Sequence, residues 1–158
     1  MYPYSASSMK RLLTAHRLQQ KLWMRVAETE NCTIIFGHRP KEEQFELYKK
    51  GRAYDGYEWY VVNKDEVVTN CDGYKIASYH NHEDEDGNPC SLAIDAGPYI
   101  NGKLSYDRGD CIYFAGRVML HAELMGIPVV WGGDWDGDKD TSDNTLNDWV
   151  HFQLKGVL

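Results

Sequence analysis

Asn147-Asp148-Trp149-Val150-His151-Phe152 puts a carboxylate three residues before a histidine, with aromatic rings at 149 and 152. Trp149 to Leu154 has the composition of a closing strand, and on a straight strand positions 148 and 151 point to opposite sides. A turn or bulge between them is needed if both are to face one cavity. Upstream, Ser78-Tyr79-His80 and then Ala93-Ile94-Asp95 add a second imidazole and a second carboxylate. Leu92 to Ala96 reads as a central strand. Two imidazoles and one carboxylate suit a divalent metal, and a spare carboxylate can activate water, which is the minimal donor set of a zinc hydrolase. Any one of these histidines alone reads more simply as a surface or packed residue; the combination points to a metal.

The periodicity predicts one amphipathic helix over 7–28, with Leu12, Ala15, Leu18 or Gln19, Leu22 and Val26 inward and Lys10, Arg17, Lys21 and Arg25 outward. Cys32 to Phe36 is β-branched and apolar, a buried strand ended by Gly37. Pro40 opens a second helix to about Lys50, stopped by Gly51. Residues 52–77 read as a long surface excursion with short strands at 58–62 and 66–69, of the kind that lines a substrate groove. Pro98 to Gly102 reads as a strand end and turn. A helix over 108–126 follows, with Ile112, Ala115, Val118, Ala122 and Met125 on one face, and then a strand at Val129 to Trp131. The expectation is a single α+β domain spanning 1–158, in which helices flank a small antiparallel sheet.

Bulk properties narrow the function. The 158 residues suffice for one buried core. A net charge of −7 with no dense basic patch speaks against a nucleic-acid partner. No apolar run is long enough to span a bilayer, and MYPYSASSMKRLL lacks the pattern of a secretory signal. The protein is therefore expected to be made in the cytoplasm, without membrane insertion, and to be a monomer. Cys32, Cys71, Cys90 and Cys111 show no C-x-x-C spacing, so a zinc knuckle or redox pair is not expected, and free thiols are. The 13% of aromatic residues is enough for a lined groove as well as a core, and Tyr57, Trp59, Tyr79, Trp131 and Trp149 are candidates for its walls.

Ser78, His80, Ala93 and Asp95 match an S-x-H-x-x-G-x-A-x-D motif, and Asp148 and His151 match D/E-x-x-H. Gly37, Arg39 and Gln44 match G-[YI]-R-[ST]-x-x-x-Q, followed by Leu47-Tyr48-Lys49-Lys50-Gly51-Arg52. On these residues, and on 98–103 and 131–135, the chain resembles the zinc peptidoglycan peptidases. That group includes D-alanyl-D-alanine carboxypeptidases and L-alanyl-D-glutamate endopeptidases, phage endolysins among them. The resemblance spans about residues 12–154 in the family's motif order and implies a Hedgehog/DD-peptidase-like fold. It implies zinc on His80, Asp95 and His151, with Asp148 as general base and acid. Arg39 would bind a substrate carboxylate or polarise the scissile carbonyl, or else form an ion pair with an aspartate. Ser78 would support the site, since no serine-hydrolase elbow surrounds it, and Gln44 would contact substrate or support the site. The substrate implied is bacterial peptidoglycan, reached after release from the producing cell. The short chain favours the endopeptidase over the carboxypeptidase. A non-catalytic zinc-binding wall module is the reading from another class, and a retained Asp148 argues against it.

The chain departs from the motif in one place. His80 and Asp95 stand fifteen apart and Ser91 replaces the motif's glycine. An insertion of about eight residues within Asn81 to Cys90 accounts for this, at small entropic cost to a connection. It introduces His82 as a rival ligand, although Ser78 and Asn81 keep the local spelling around His80. Its Glu83-Asp84-Glu85-Asp86 run reads as a solvated loop tip. A second acidic run, Asp134, Asp136, Asp138 and Asp140, alternates as calcium loops do but lacks the EF-hand glycine and helix pair, leaving a non-EF calcium site or an acidic surface loop.

Overall fold

The computed structural model describes residues 1–143 and 147–156. Two helices, α1 (Ala6–Leu12) and α2 (Arg17–Val26), precede β1 (Cys32–Phe36) and α3 (Lys41–Tyr48). A small hairpin follows, β2 (Arg52–Tyr54) with β3 (Trp59–Val61), and then β4 (Ala93–Ile100) and β5 (Lys103–Leu104). The chain closes with α4 (Arg108–Leu124), β6 (Val129–Trp131) and β7 (His151–Leu154). The main sheet is antiparallel in the order β1-β4-β7-β6, with β5 added to the far half of β4.

Alternation along the two central strands divides the molecule. Ile94 and Ala96 on β4, with Phe152 and Leu154 on β7, join Leu22, Trp23, Phe114 and Val118 in the core between sheet and helices. Asp95 and His151 occupy the intervening positions, face the other side and pair directly across the strands. Gln19 locks α2 to both strands: its Nε2 donates to Leu92 O (3.0 Å) and Phe152 O (3.1 Å), and its Oε1 accepts from Trp23 Nε1 (2.9 Å). At the β1 edge, the Ile34 N–H donates to Ser8 Oγ and Ile34 O accepts from Arg11 Nη1, so α1 covers the strand's open side.

The single helix expected over 7–28 is two helices. Between them Thr14, Ala15 and His16 run beside Ser91: His16 N–H donates to Ser91 O (2.8 Å) and Ser91 N–H to Thr14 O (3.0 Å). Long-range backbone pairing outbids helical continuity here, and His16 Nδ1 restarts the helix by accepting from Leu18 N–H. The strand expected at 66–69 is also absent. Lys64–Glu66 is a 3-10 turn capped by Asn63, and the hairpin forms instead from 52–54 and 59–61. Asp55 to Glu58 make that reversal, with Gly56 at φ +101° and Asp55 Oδ1 accepting from Tyr57 and Glu58 N–H, while Gly51, at φ +72°, leads from α3 into β2 and its carbonyl accepts from Val62 and Asn63 N–H. On α4, the expected inward Met125 is exposed, and Cys111, Phe114 and His121 share the buried face with Ala115, Val118 and Ala122. All four cysteines are free, with Cys32 and Cys111 buried.

Candidate active site

His80 sits on a 3-10 turn, Tyr79–Asn81, whose start is fixed by a capping box. Ser78 Oγ accepts from His80 N–H (3.3 Å) and Asn81 Oδ1 accepts from Ser78 N–H (3.0 Å). Two further bonds zip this turn to the exit of β1, Arg39 N–H to His80 O (2.9 Å) and Asn81 Nδ2 to Arg39 O (2.7 Å). Gly37 has to be glycine because a Cβ there would lie 2.3 Å from Arg11 O. Its carbonyl accepts from His80 Nδ1 at 2.8 Å. A bulge in β1, with Ile34 opposite Ala96 and Phe36 opposite Asp95, distorts the ladder beside Asp95.

The bend required of the last segment is present. His151 N–H donates to Asp148 O (3.1 Å), closing a turn through Trp149 and Val150. Gly132 clamps both ends: its carbonyl accepts from Asp148 N–H (2.8 Å) and its N–H donates to His151 O (2.8 Å). A Cβ on Gly132 would lie 2.6 Å from Asp148 O, so only glycine permits the approach. The turn brings the Asp148 side chain into the same cleft as His151, a cavity of about 410 Å³ that His80, Asp95 and Arg39 also line.

Three donor atoms converge there. Asp95 Oδ1 is 3.1 Å from His80 Nε2 and 2.9 Å from His151 Nδ1, and the two nitrogens are 3.3 Å apart. Hydrogen bonding settles which nitrogens carry protons. The Gly37 carbonyl can only accept, so His80 Nδ1 donates and Nε2 presents its lone pair. Gln153 Oε1, 3.1 Å from His151 Nε2, likewise accepts a hydrogen bond from an Nε2–H there and leaves Nδ1 free. In the neutral tautomers three electron-rich atoms thus face one another and need a cation between them. Bonds of about 2.0–2.1 Å in a tetrahedron give ligand separations of roughly 3.3 Å, so the donor set fits zinc.

The electrostatics express the same demand. Burial alone would push the Asp95 carboxyl up, but the charge of His80 and the hydrogen bonds of His151 and His80 outweigh it and hold Asp95 well below the usual carboxylate range. Burial would pull His151 down, yet hydrogen bonding to Asp95 and the charges of Asp95 and Asp148 raise it. Asp148 moves the other way from Asp95: burial and then the Asp95 charge raise it, against the smaller pull of His151 and His80. Two carboxylates in one cleft are thereby driven apart in acidity, as acid–base and ligand roles require.

Arg39 is buried, with Nη1 donating to Gln44 Oε1 (2.9 Å) and Nη2 in ion-pair range of Asp95 Oδ2 (3.7 Å). Gln44 passes the tether on, donating to Thr69 Oγ1 (3.2 Å) and Cys71 O (2.9 Å) in the opposite wall. His82 stands outside the donor set, with Nδ1 bonded to Cys90 O (2.9 Å) beside a separate cavity. The acidic insertion is an exposed loop bridged at Glu83 and Pro89 and organised by Asp84, whose carboxylate accepts from Asp86 and Asn88 N–H. Asp134, Asp136 and Asp138 cluster within 4.8 Å of one another. Asp134 already accepts from Gly137 and Lys139 N–H, and Asp140 lies outside the group, accepting from Ser142.

Of the five aromatic candidates for the groove, Tyr79 lines the cleft. Trp131 is in the core with Trp149 packed on it, Trp59 meets Phe45 edge-on and lies tilted against Tyr54, and Tyr57 is almost fully exposed. The ring that sequence reasoning missed is Trp135, which lines the cleft with its ring centre 5.5 Å from that of His151. Gln153 was missed too, although its place two residues after His151 puts it on the same strand face.

An antiparallel sheet presenting a His–Asp–His donor set in a cleft, with another carboxylate at its side, defines a metal-competent hydrolytic site. The chain belongs to the phage L-alanyl-D-glutamate peptidase family, whose sequence pattern matches residues 1–154. Its fold is similar to the crystal structure of Serratia marcescens L-Ala D-Glu endopeptidase ChiX, at TM-score 0.65 and 20% identity, over 97% of this chain and 90% of that one. No curated protein sequence matches. Among the described residues no helix is long and apolar enough to cross a membrane.

Proposed function

We propose that the chain is a zinc-dependent endopeptidase that cuts the L-alanyl-D-glutamate bond of the peptidoglycan stem peptide, acting as a monomeric endolysin on the wall of the host cell. The observation that carries the reading is the convergence of His80 Nε2, Asp95 Oδ1 and His151 Nδ1 within 3.3 Å, with their other faces committed to Gly37 and Gln153. Family membership supplies the substrate.

Zinc held by His80, Asp95 and His151 would supply Lewis acidity toward water and the scissile carbonyl. The chain's own residues then divide the work. Asp148, its acidity weakened by burial and by Asp95, takes a proton from the attacking water at its carboxylate. It returns that proton to the leaving amine nitrogen of the glutamate. Arg39, fixed by Gln44, keeps a guanidinium beside Asp95, where it steadies that ligand and offers positive charge to a substrate oxygen. Gln153 holds His151 in the tautomer that leaves Nδ1 free. Ser78 shapes the His80 turn and has no part as a nucleophile.

Calcium is not needed for this reading, because the 134–142 loop is closed by its own amides. Titrating the protein with calcium while following hydrolysis decides whether the Asp134 cluster takes up that ion. The main test is digestion of purified peptidoglycan with identification of the new termini. Carboxyl-terminal L-alanine and amino-terminal D-glutamate are expected, lost with a chelator and restored by zinc. Release of free D-alanine alone would overturn the endopeptidase assignment.

A further inference from the structure

Charge is distributed along the chain in a way the cleft does not use. All 24 carboxylates lie after Ala27, whereas residues 1–27 carry five cations, Lys10, Arg11, Arg17, Lys21 and Arg25. Helix α2 buries Gln19, Leu22, Trp23 and Val26 and leaves Arg17, Lys21, Met24 and Arg25 on its outer face. Tyr2 N–H donates to Ala27 O (2.7 Å), laying the first residues along the end of this helix.

Between them runs a groove of about 790 Å³, with Met1, Tyr2, Met9, Met24 and Met125 offering apolar surface and Arg17, Lys21 and Arg25 the charge. Tyr2 is 46% exposed and Met24 49%. Among the described residues the one carboxylate lining the groove, Glu28, is paired with Arg25. Arg17 and Lys21 have no hydrogen-bond or ion-pair partner among the described residues.

We propose that this basic, methionine-lined face docks the protein on a membrane surface carrying anionic phospholipids. Cations near such a surface gain from its negative potential, and a neighbouring apolar strip gains by entering the boundary between headgroups and acyl chains. The strip selects a lipid surface over a soluble phosphate polymer, which has nothing apolar to meet exposed Met24 and Tyr2. The acidic remainder of the chain, repelled by the same surface, turns the basic face toward it. Orientation follows from the fold. Helix α2 packs on the sheet face that carries Ile94 and Phe152, opposite Asp95 and His151, so a docked molecule holds its cleft away from the bilayer.

The test is co-sedimentation with phosphatidylcholine vesicles with and without phosphatidylglycerol, an assay that needs no catalysis and stands whatever the peptidase activity proves to be. Binding is expected only with the anionic lipid, weakening as salt is raised. Each basic residue lost should lower partitioning about fivefold, so Arg17→Gln with Lys21→Gln should lower it roughly 25-fold. The thermal midpoint should change little, because neither side chain has a hydrogen-bond or ion-pair partner among the described residues. Lys64→Gln with Lys103→Gln, off this face, should bind as wild type. Equal binding to pure phosphatidylcholine, or equal losses in both double variants, would overturn the proposal. Binding of soluble polyphosphate as tightly as the vesicles, lost in the Arg17/Lys21 variant, would replace the lipid by a polyanion.

Discussion

Replacing Asp148 with asparagine should inactivate the enzyme and leave its fold as stable or more so. The substitution keeps the shape of the side chain and the two backbone bonds that hold the turn, Asp148 N–H to Gly132 O and His151 N–H to Asp148 O. It removes a carboxylate whose pKa burial and the Asp95 charge have raised. A carboxyl whose folded pKa lies above its unfolded value opposes folding once it is ionised, so at neutral pH the wild-type side chain destabilises the metal-free protein and asparagine does not. In the proposed mechanism catalysis loses its proton carrier, worth about 10²–10⁴-fold in rate, or roughly 2.7–5.5 kcal/mol of barrier. Zinc content should not change, because the three converging donor atoms belong to His80, Asp95 and His151 and none to Asp148. Three measurements on one preparation decide the matter: new termini released from peptidoglycan, bound zinc, and the thermal midpoint in chelator at neutral pH and again in acid below the ordinary aspartate range. The gain in midpoint should be present at neutral pH and vanish in acid. A variant keeping a tenth of its activity would refute the proton-carrier role. Loss of zinc would make Asp148 a ligand, and a lower midpoint at neutral pH would refute the electrostatic argument.

Other outcomes follow from the same geometry. His80→Ala should abolish stoichiometric zinc binding and His82→Ala should not, which metal analysis of the two purified variants will show; the reverse result would exchange the two histidines. Gln19→Leu strands the indole N–H of buried Trp23 and breaks two ties to the central strands, a loss of about 2–4 kcal/mol, or roughly 5–15 °C in the melting temperature. A shift below 2 °C, on the order of half a kcal/mol, would deny Gln19 that role. His121 is held below its ordinary pKa by burial and by the charges of Arg117 and Arg25, so its contribution is complete above the unfolded value near 6.5 and is lost as pH falls through that value toward the folded one. His121→Gln keeps a partner for Thr29 and should flatten the fall of the melting temperature with acid over that window; an unchanged slope counts against the assignment.

Much of this protein was legible in its sequence, for local reasons. Gly37, Gly51 and Pro40 punctuate the chain where only their backbones fit or are favoured, and the strands at 32–36 and 129–131 follow from runs of β-branched residues between such breaks. The two motifs that carry His80, Asp95 and His151 kept their spelling through a loop insertion, because a connection can lengthen without moving its ends. Misreadings arose where distant backbone intervened. Thr14 to His16 left a good helical pattern to pair with Ser91, and a plausible strand at 66–69 lost to a hairpin of 52–54 with 59–61 that Asp55 and Gly56 turn back on itself.

The sequence by itself determined the chemistry available, two imidazoles and two carboxylates in a recognisable order, and with it the family. Only the tertiary structure decided which atoms meet. Asp148 and His151 lie on opposite sides of any extended strand, and they share a cleft because Gly132, distant from both in sequence and brought beside them when β6 pairs with β7, clamps the turn between them. Which nitrogen of each histidine is free was likewise fixed from outside the motifs, by the Gly37 carbonyl and the Gln153 amide oxygen. Ligand identity is a property of residue type and can be written in a motif. Lone-pair direction and acidity depend on hydrogen bonds and burial, and these exist only once the chain has folded.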